Sequence, residues 1–98
     1  MIHVRMVTAQ MKPGRLEEAV ELWRTTIAPS AREQKGFVSA RLLVDREGNR
    51  VRSVGFWESE ADFRASIPWT QGHIARLAEL FSAPPLQDHF DLEAEFLK

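Results

Sequence analysis

The sequence predicts an α+β fold in the order β-α-β-β-α-β, with two helices packed on one face of a four-stranded antiparallel sheet. Three observations carry that prediction. Residues alternate with period two at both ends of the chain, helical periodicity fills residues 15–28 and 69–81, and a Gly-Asn turn joins two β-rich runs. This is the split βαβ, ferredoxin-like order.

Each element follows from its residues. Ile2–Gln10 places Ile2, Val4 and Met6 on one side and His3, Arg5 and Val7 on the other. Lys12-Pro13-Gly14 is a turn, and Pro-Gly sits where a helix can begin. Leu16, Ala19, Val20, Trp23 and Ile27 then form one apolar stripe, with Glu17, Glu18, Glu21 and Arg24 opposite. Pro29 lacks an N–H and clashes one turn back, so this helix is expected to end or kink near Ala28. Residues 30–35 read as a ragged last turn closed by Gly36. Phe37–Asp45 and Arg50–Glu58 form a hairpin around Arg46-Glu47-Gly48-Asn49, with a loop of two or four residues. Either loop puts Val38, Ala40, Leu42 and Val44 on one face with Val51, Ser53, Gly55 and Trp57. Ser39, Arg41, Leu43, Arg52, Val54 and Phe56 take the other.

Ser59-Glu60-Ala61-Asp62 has the spacing of a helix start. The short helix that follows turns Phe63 inward and breaks around Pro68. A second runs from about Trp69 to Phe81 on the stripe Ile74, Leu77 and Phe81, and Ala83-Pro84-Pro85 stops it. The last strand is expected over Leu86–Phe96, with Phe90, Leu92, Ala94 and Phe96 on one side.

With 98 residues the chain reads as one domain, residues 1–98. Folding at that size buries only about 60–65% of the unfolded surface, so stability is thin. No Cys is present to make a disulfide, a thiol nucleophile or a thiolate metal site. Because both sheet faces are apolar, one needs a cover beyond the helices, and a second copy of the chain supplies it. A homodimer is therefore expected. Thirteen basic residues against fourteen acidic ones offer no long-range pull on nucleic acid or an acidic membrane. No apolar run is long enough to span a bilayer, and Met1–Arg5 lacks the apolar stretch of a signal peptide, so a cytoplasmic location is expected.

Candidate chemistry is sparse. His3, His73 and His89 have no chelating spacing, so no metal is expected, and they read as unrelated surface or edge histidines. No Ser stands in a nucleophile turn and the five glycines are isolated. Without Tyr, no phenol is available as acid or base. The notable constellation is aromatic. Ala40, Ser53 and Gly55 are small residues mid-sheet that leave space beneath the helices, with Trp57 and Phe63 as walls. Trp69 and His73 are neighbours four apart on the second helix. His73 could point into the cavity mouth as an acid–base group, or cap an apolar edge half in water. Trp57 and Phe63 could equally be core, and Trp23 reads as core from its place mid-stripe. His3 and Arg5 share a parity and could present positive charge to an anionic or enolised ligand, or an ion pair at a dimer seam.

Four segments together resemble the antibiotic biosynthesis monooxygenase family of dimeric α/β barrels. They are Lys12-Pro13-Gly14, Ala31 to Phe37, Phe56-Trp57-Glu58-Ser59-Glu60 followed by Phe63, and the Ala83-Pro84-Pro85 break. The resemblance runs over essentially the whole chain. It implies relatives among cofactor-independent oxygenases of aromatic polyketides or quinols, haem-degrading oxygenases and small-molecule isomerases. For the polyketide oxygenases it implies an Asn four residues before the strand Trp and a Tyr six residues after it. Ser53, Trp57 and Phe63 stand there, so only the tryptophan is kept. For the haem-degrading branch it implies an Asn on the first strand and a helical Trp and His about ten residues apart. The single Asn is Asn49 in the hairpin loop, and Trp69 and His73 are four apart.

Three functions remain open from the sequence. One is a cofactor-independent monooxygenase, or a related isomerase, acting on a small aromatic or quinol-type molecule. His73 would be its base or hydrogen-bond partner, Trp57, Phe63 and Trp69 would enclose the ring, and Ser53 would be a weak donor. The second is a non-catalytic small-molecule-binding or accessory barrel, and the third a dimer with a filled core.

Overall fold

A computed structural model describes residues 1–98. Four antiparallel strands, β1 (His3–Gln10), β2 (Phe37–Asp45), β3 (Arg50–Trp57) and β4 (Leu86–Asp91), lie in the order β2-β3-β1-β4. The first helical arm joins α1 (Leu16–Leu22), a π-helical stretch at Trp23–Ile27 and α2 (Ala28–Ala31). The second joins α3 (Glu60–Ala65), α4 (Ile67–Leu77) and a 3₁₀ turn at Ala78–Leu80. This is the ferredoxin-like fold.

Register fixes the two faces. His3, Arg5, Val7 and Ala9 stand opposite Trp57, Gly55, Ser53 and Val51 of β3 and point toward the helices. A core of Ala9, Met11, Leu16, Ala19, Leu80 and Phe81 closes one end of that layer. Val4 and Met6 look outward with Val54, Phe56 and Phe90. Leu43, Leu86 and Phe90 are exposed on this outer face.

Four expectations change. Pro29 does not end the first helix. The widened π stretch absorbs the missing N–H by shifting the register, so that Ala28 N–H donates to Trp23 C=O and Pro29 falls in the first turn of α2. Pro68 likewise opens α4, whose helix starts at Ile67 rather than near Trp69. A bulge between Phe37 and Ser39 puts Phe37, not Val38, beside Trp57, with ring centroids 5.6 Å apart. Finally, β4 stops at Asp91, because its partner β1 begins at His3, and past that end a last bond runs from Leu92 N–H to Ile2 C=O at 2.9 Å. Phe96, expected on that strand, is 98% exposed.

Local signals elsewhere act as the sequence implies. Ser59 Oγ accepts from Asp62 N–H at 3.1 Å and caps α3. The hairpin loop has four residues, with Asn49 at φ 54° and Asp45 paired to Arg50 at 2.8 Å.

Candidate functional site

Small residues in the middle of the sheet leave room that the helices do not fill. A largely apolar cavity of about 110 Å³ lies between β1–β3 and the helical arms. One water needs about 10–15 Å³ on that measure, so the space takes a small organic molecule. Its floor includes Ala40, Ser53 and Gly55.

The side chains around the cavity come from both arms. Trp57 is buried on the floor, and the Trp69 ring meets it edge-on at 6.3 Å from α4. Trp23, read from the sequence as core, lines the cavity too, since its inward position on the apolar stripe faces β3. Its Nε1–H donates to Ser53 Oγ at 3.0 Å, which leaves the Ser53 hydroxyl proton free. Phe63 stands apart from the cavity. It lies at the β1–β4 edge, stacked on His89 at 4.8 Å with the Arg5 guanidinium 4.7 Å from its ring centre. The short helix α3 ends before the cavity begins, so the wall expected from Phe63 is supplied by Trp23 and Phe37.

His73 is half-buried and lines the cavity, its ring edge-on to Trp69 at 4.8 Å. Its tautomer follows from one hydroxyl. Ser30 Oγ gives its only proton to Ile27 C=O at 2.7 Å, so it can only accept from His73 Nε2 at 3.3 Å and from Trp69 Nε1–H at 3.2 Å. Nε2 therefore carries the hydrogen and Nδ1 the lone pair. Burial, then the neighbouring Arg76 charge, push the His73 pKa below its ordinary value. The imidazole is thus neutral, and basic at Nδ1, at neutral pH.

The other two histidines are not unrelated. Strand pairing sets His3 opposite Asp91 and Arg5 opposite His89. Buried His3 bonds Asp91 Oδ1 through Nδ1 at 2.9 Å and His89 Nδ1 through Nε2 at 2.8 Å. Its carboxylate partner lies within the chain. Ligand atoms of His3, Glu60 and Asp91 lie within 4.8 Å of one another. Positions 89 and 91 alternate on the last strand as 3 and 5 do on the first, which is the signal for this cluster. Thr70, buried one residue after Trp69, has no comparable signal.

The family model for antibiotic biosynthesis monooxygenase matches residues 1–67. The chain belongs to that family. Tetracenomycin-F1 monooxygenase of Streptomyces glaucescens is 38% identical over 60 residues, covering 61% of this chain and 41% of that protein. The uncharacterized Rv2557 of Mycobacterium tuberculosis is 23% identical over 94 residues, 96% of this chain and 42% of that one. The chain thus spans about two fifths of the length of these curated relatives. Among solved structures, the monooxygenase from the gene ActVA-Orf6 of Streptomyces coelicolor, in complex with nanaomycin D, superposes with a TM-score of 0.82 at 25% identity. That match covers 98% of this chain and 91% of the other. SnoaB, a cofactor-independent oxygenase of Streptomyces nogalater, gives 0.78 at 20% identity over 99% and 98%. Against this monooxygenase family, Ser53 and Phe63 gain meaning. Ser53, held by Trp23 Nε1–H, presents a hydroxyl where the resemblance implies an amide, and Phe63, outside the cavity lining, presents no phenol. No helix is long and apolar enough to cross a membrane.

Proposed function

We propose that this chain acts as a cofactor-independent monooxygenase on a small aromatic or quinol-type molecule held between sheet and helices. The observation that carries this reading is the apolar cavity walled by Trp23, Trp57 and Trp69, with one neutral imidazole, His73, at its side. The indoles sandwich a ring and keep water out. His73 Nδ1 takes a proton from the bound quinol, the anion passes one electron to dioxygen and the two combine to a carbon-bound hydroperoxide, which loses water to leave the new carbonyl. Ser53 O–H is free to donate to the developing oxyanion. The active form is a homodimer, supported by the apolar outer face that carries exposed Leu43, Leu86 and Phe90.

Oxygen uptake with a panel of hydroxynaphthoquinols tests this reading. Wild type should exceed the uncatalysed rate, and His73→Ala and Trp57→Phe should each lose at least about ten-fold. Uptake that never exceeds the background overturns the oxygenase reading for those substrates. A second reading, a binding or accessory barrel without chemistry, draws on the engaged Ser53 and the outlying Phe63. A ligand-induced rise in melting temperature without oxygen uptake would favour it.

A further inference from the structure

Three buried side-chain donors have no hydrogen-bond partner in the chain: Arg5 Nη1, Trp57 Nε1 and Thr70 Oγ1. Arg5, Trp57 and Thr70 are only 8%, 2% and 7% exposed, and all three line the cavity. Native folds leave few such groups, and each requires an explanation. An unpaired buried cation is the costliest of them. Arg5 makes no ion pair, and its guanidinium rests on the face of Phe63, 4.7 Å from the ring centre.

The three converge. Arg5 pairs in register with Gly55, and Trp57 Nε1 lies 3.4 Å from where a Gly55 Cβ would stand. The indole N–H stays buried there, with no side chain at Gly55 and no acceptor bonded to it. Thr70 follows Trp69, whose ring meets Trp57. The lining of an apolar cavity thus includes three unpaired donors and a positive charge, none of them met by an acceptor of the chain.

We propose that this part of the lining is an anion subsite and that the ligand is an aromatic carboxylate, a substrate class that rests on the small-aromatic reading above. A carboxylate offers two oxygens with about four lone-pair positions, and a guanidinium fork matches it in plane. A neutral phenol or amide brings no charge to offset the guanidinium. The ring then lies against Trp69 and Trp23, and the carboxylate meets Arg5, Trp57 Nε1–H and Thr70 O–H.

The experiment is equilibrium binding, followed by tryptophan fluorescence, of 1-naphthoate, 1-naphthamide and 1-naphthol to the full chain. Naphthoate should bind at least about ten-fold more tightly than naphthamide. Arg5→Met should abolish that preference while naphthamide affinity stays within about two-fold, and Thr70→Val should reduce the preference several-fold. If Arg5→Met fails to fold, Arg5→Lys keeps the charge without the fork and should still lose most of the preference. Equal binding of acid and amide, or a preference that survives the Arg5 substitutions, overturns the subsite. Naphthol binding that is lost in Trp69→Ala, with no preference for the acid, would leave the small-aromatic reading standing and remove the subsite alone. If none of the three binds, both fall.

Discussion

Replacing Arg5 by Met should make the ligand-free protein more stable, although it removes a buried side chain's only charge. The magnitude follows from the guanidinium's surroundings. Burial lowers its pKa to about 10 from 12.5, and about 1.36 kcal/mol per pKa unit makes that roughly 3 kcal/mol against the charged form. The contact with Phe63 returns about 1–2 kcal/mol, and residual solvent screening trims the penalty further. A methionine of similar length keeps the packing and carries no charge, so a net gain of about 1–2 kcal/mol is expected. Because the folded pKa lies below the unfolded one for a base, the penalty is fully present at neutral pH and fades only as pH rises through about 10. For a domain of this size, each kcal/mol moves the melting temperature by about 4–8 °C. Thermal and urea unfolding at pH 7, at one fixed protein concentration, give the measurement. An unchanged or lower melting temperature for Arg5→Met would mean that the charge is compensated in the free protein, and the reasoning fails.

Other outcomes follow from single contacts. Ser53→Val removes the acceptor of Trp23 Nε1–H and should destabilise by about 1–3 kcal/mol in urea titration. Gly36→Ala should destabilise by about 1–3 kcal/mol, since Gly36 sits at φ 79° and a Cβ there would overlap the Asp62 carboxylate. Because the folded His73 pKa is depressed, the unfolded chain takes up a proton first as pH falls below about 6.5, and stability drops with it. His73→Gln should flatten that part of a melting-temperature profile between pH 7 and 5. Phe90→Glu on the outer face should shift the sedimentation coefficient from dimer to monomer at micromolar concentration, without loss of helical circular dichroism.

Much of the fold was legible because it is set by local signals. Alternation gave both ladders of the hairpin, Ser59 marked its helix start, and Gly36 marked a left-handed turn. The errors arise where one element answers to another. A proline reads as a helix end only if the helix keeps its 3.6 period, and the π stretch at Trp23–Ile27 relaxes that condition. The parity of Phe37 and Val38 inverts through a bulge that no residue in the run announces. At the site, Ala40, Ser53, Gly55, Trp57, Trp69 and His73 all line the cavity, since mid-sheet small residues and helical spacing already imply their side. Trp23 and Thr70 were illegible as site residues, because an inward apolar-stripe position looks the same whether it meets core or empty space. The His3–His89–Asp91 cluster depends on which strands pair, and that is decided only by the assembled sheet.

The cavity and the thin core are connected. A chain of 98 residues has little stability to spare, yet it keeps Gly55 and Ala40 where larger side chains would fill space, and it leaves three donors unpaired beneath its helices. Each choice lowers the stability of the free protein. Binding reverses both at once, since an occupant that fills the space and pairs the donors stabilises only the folded state. A filled-core dimer would have no use for the arrangement, because a Leu in place of Arg5 and an Ala at Gly55 would serve it better. The cavity floor therefore favours the proposed binding of a small molecule over a filled core.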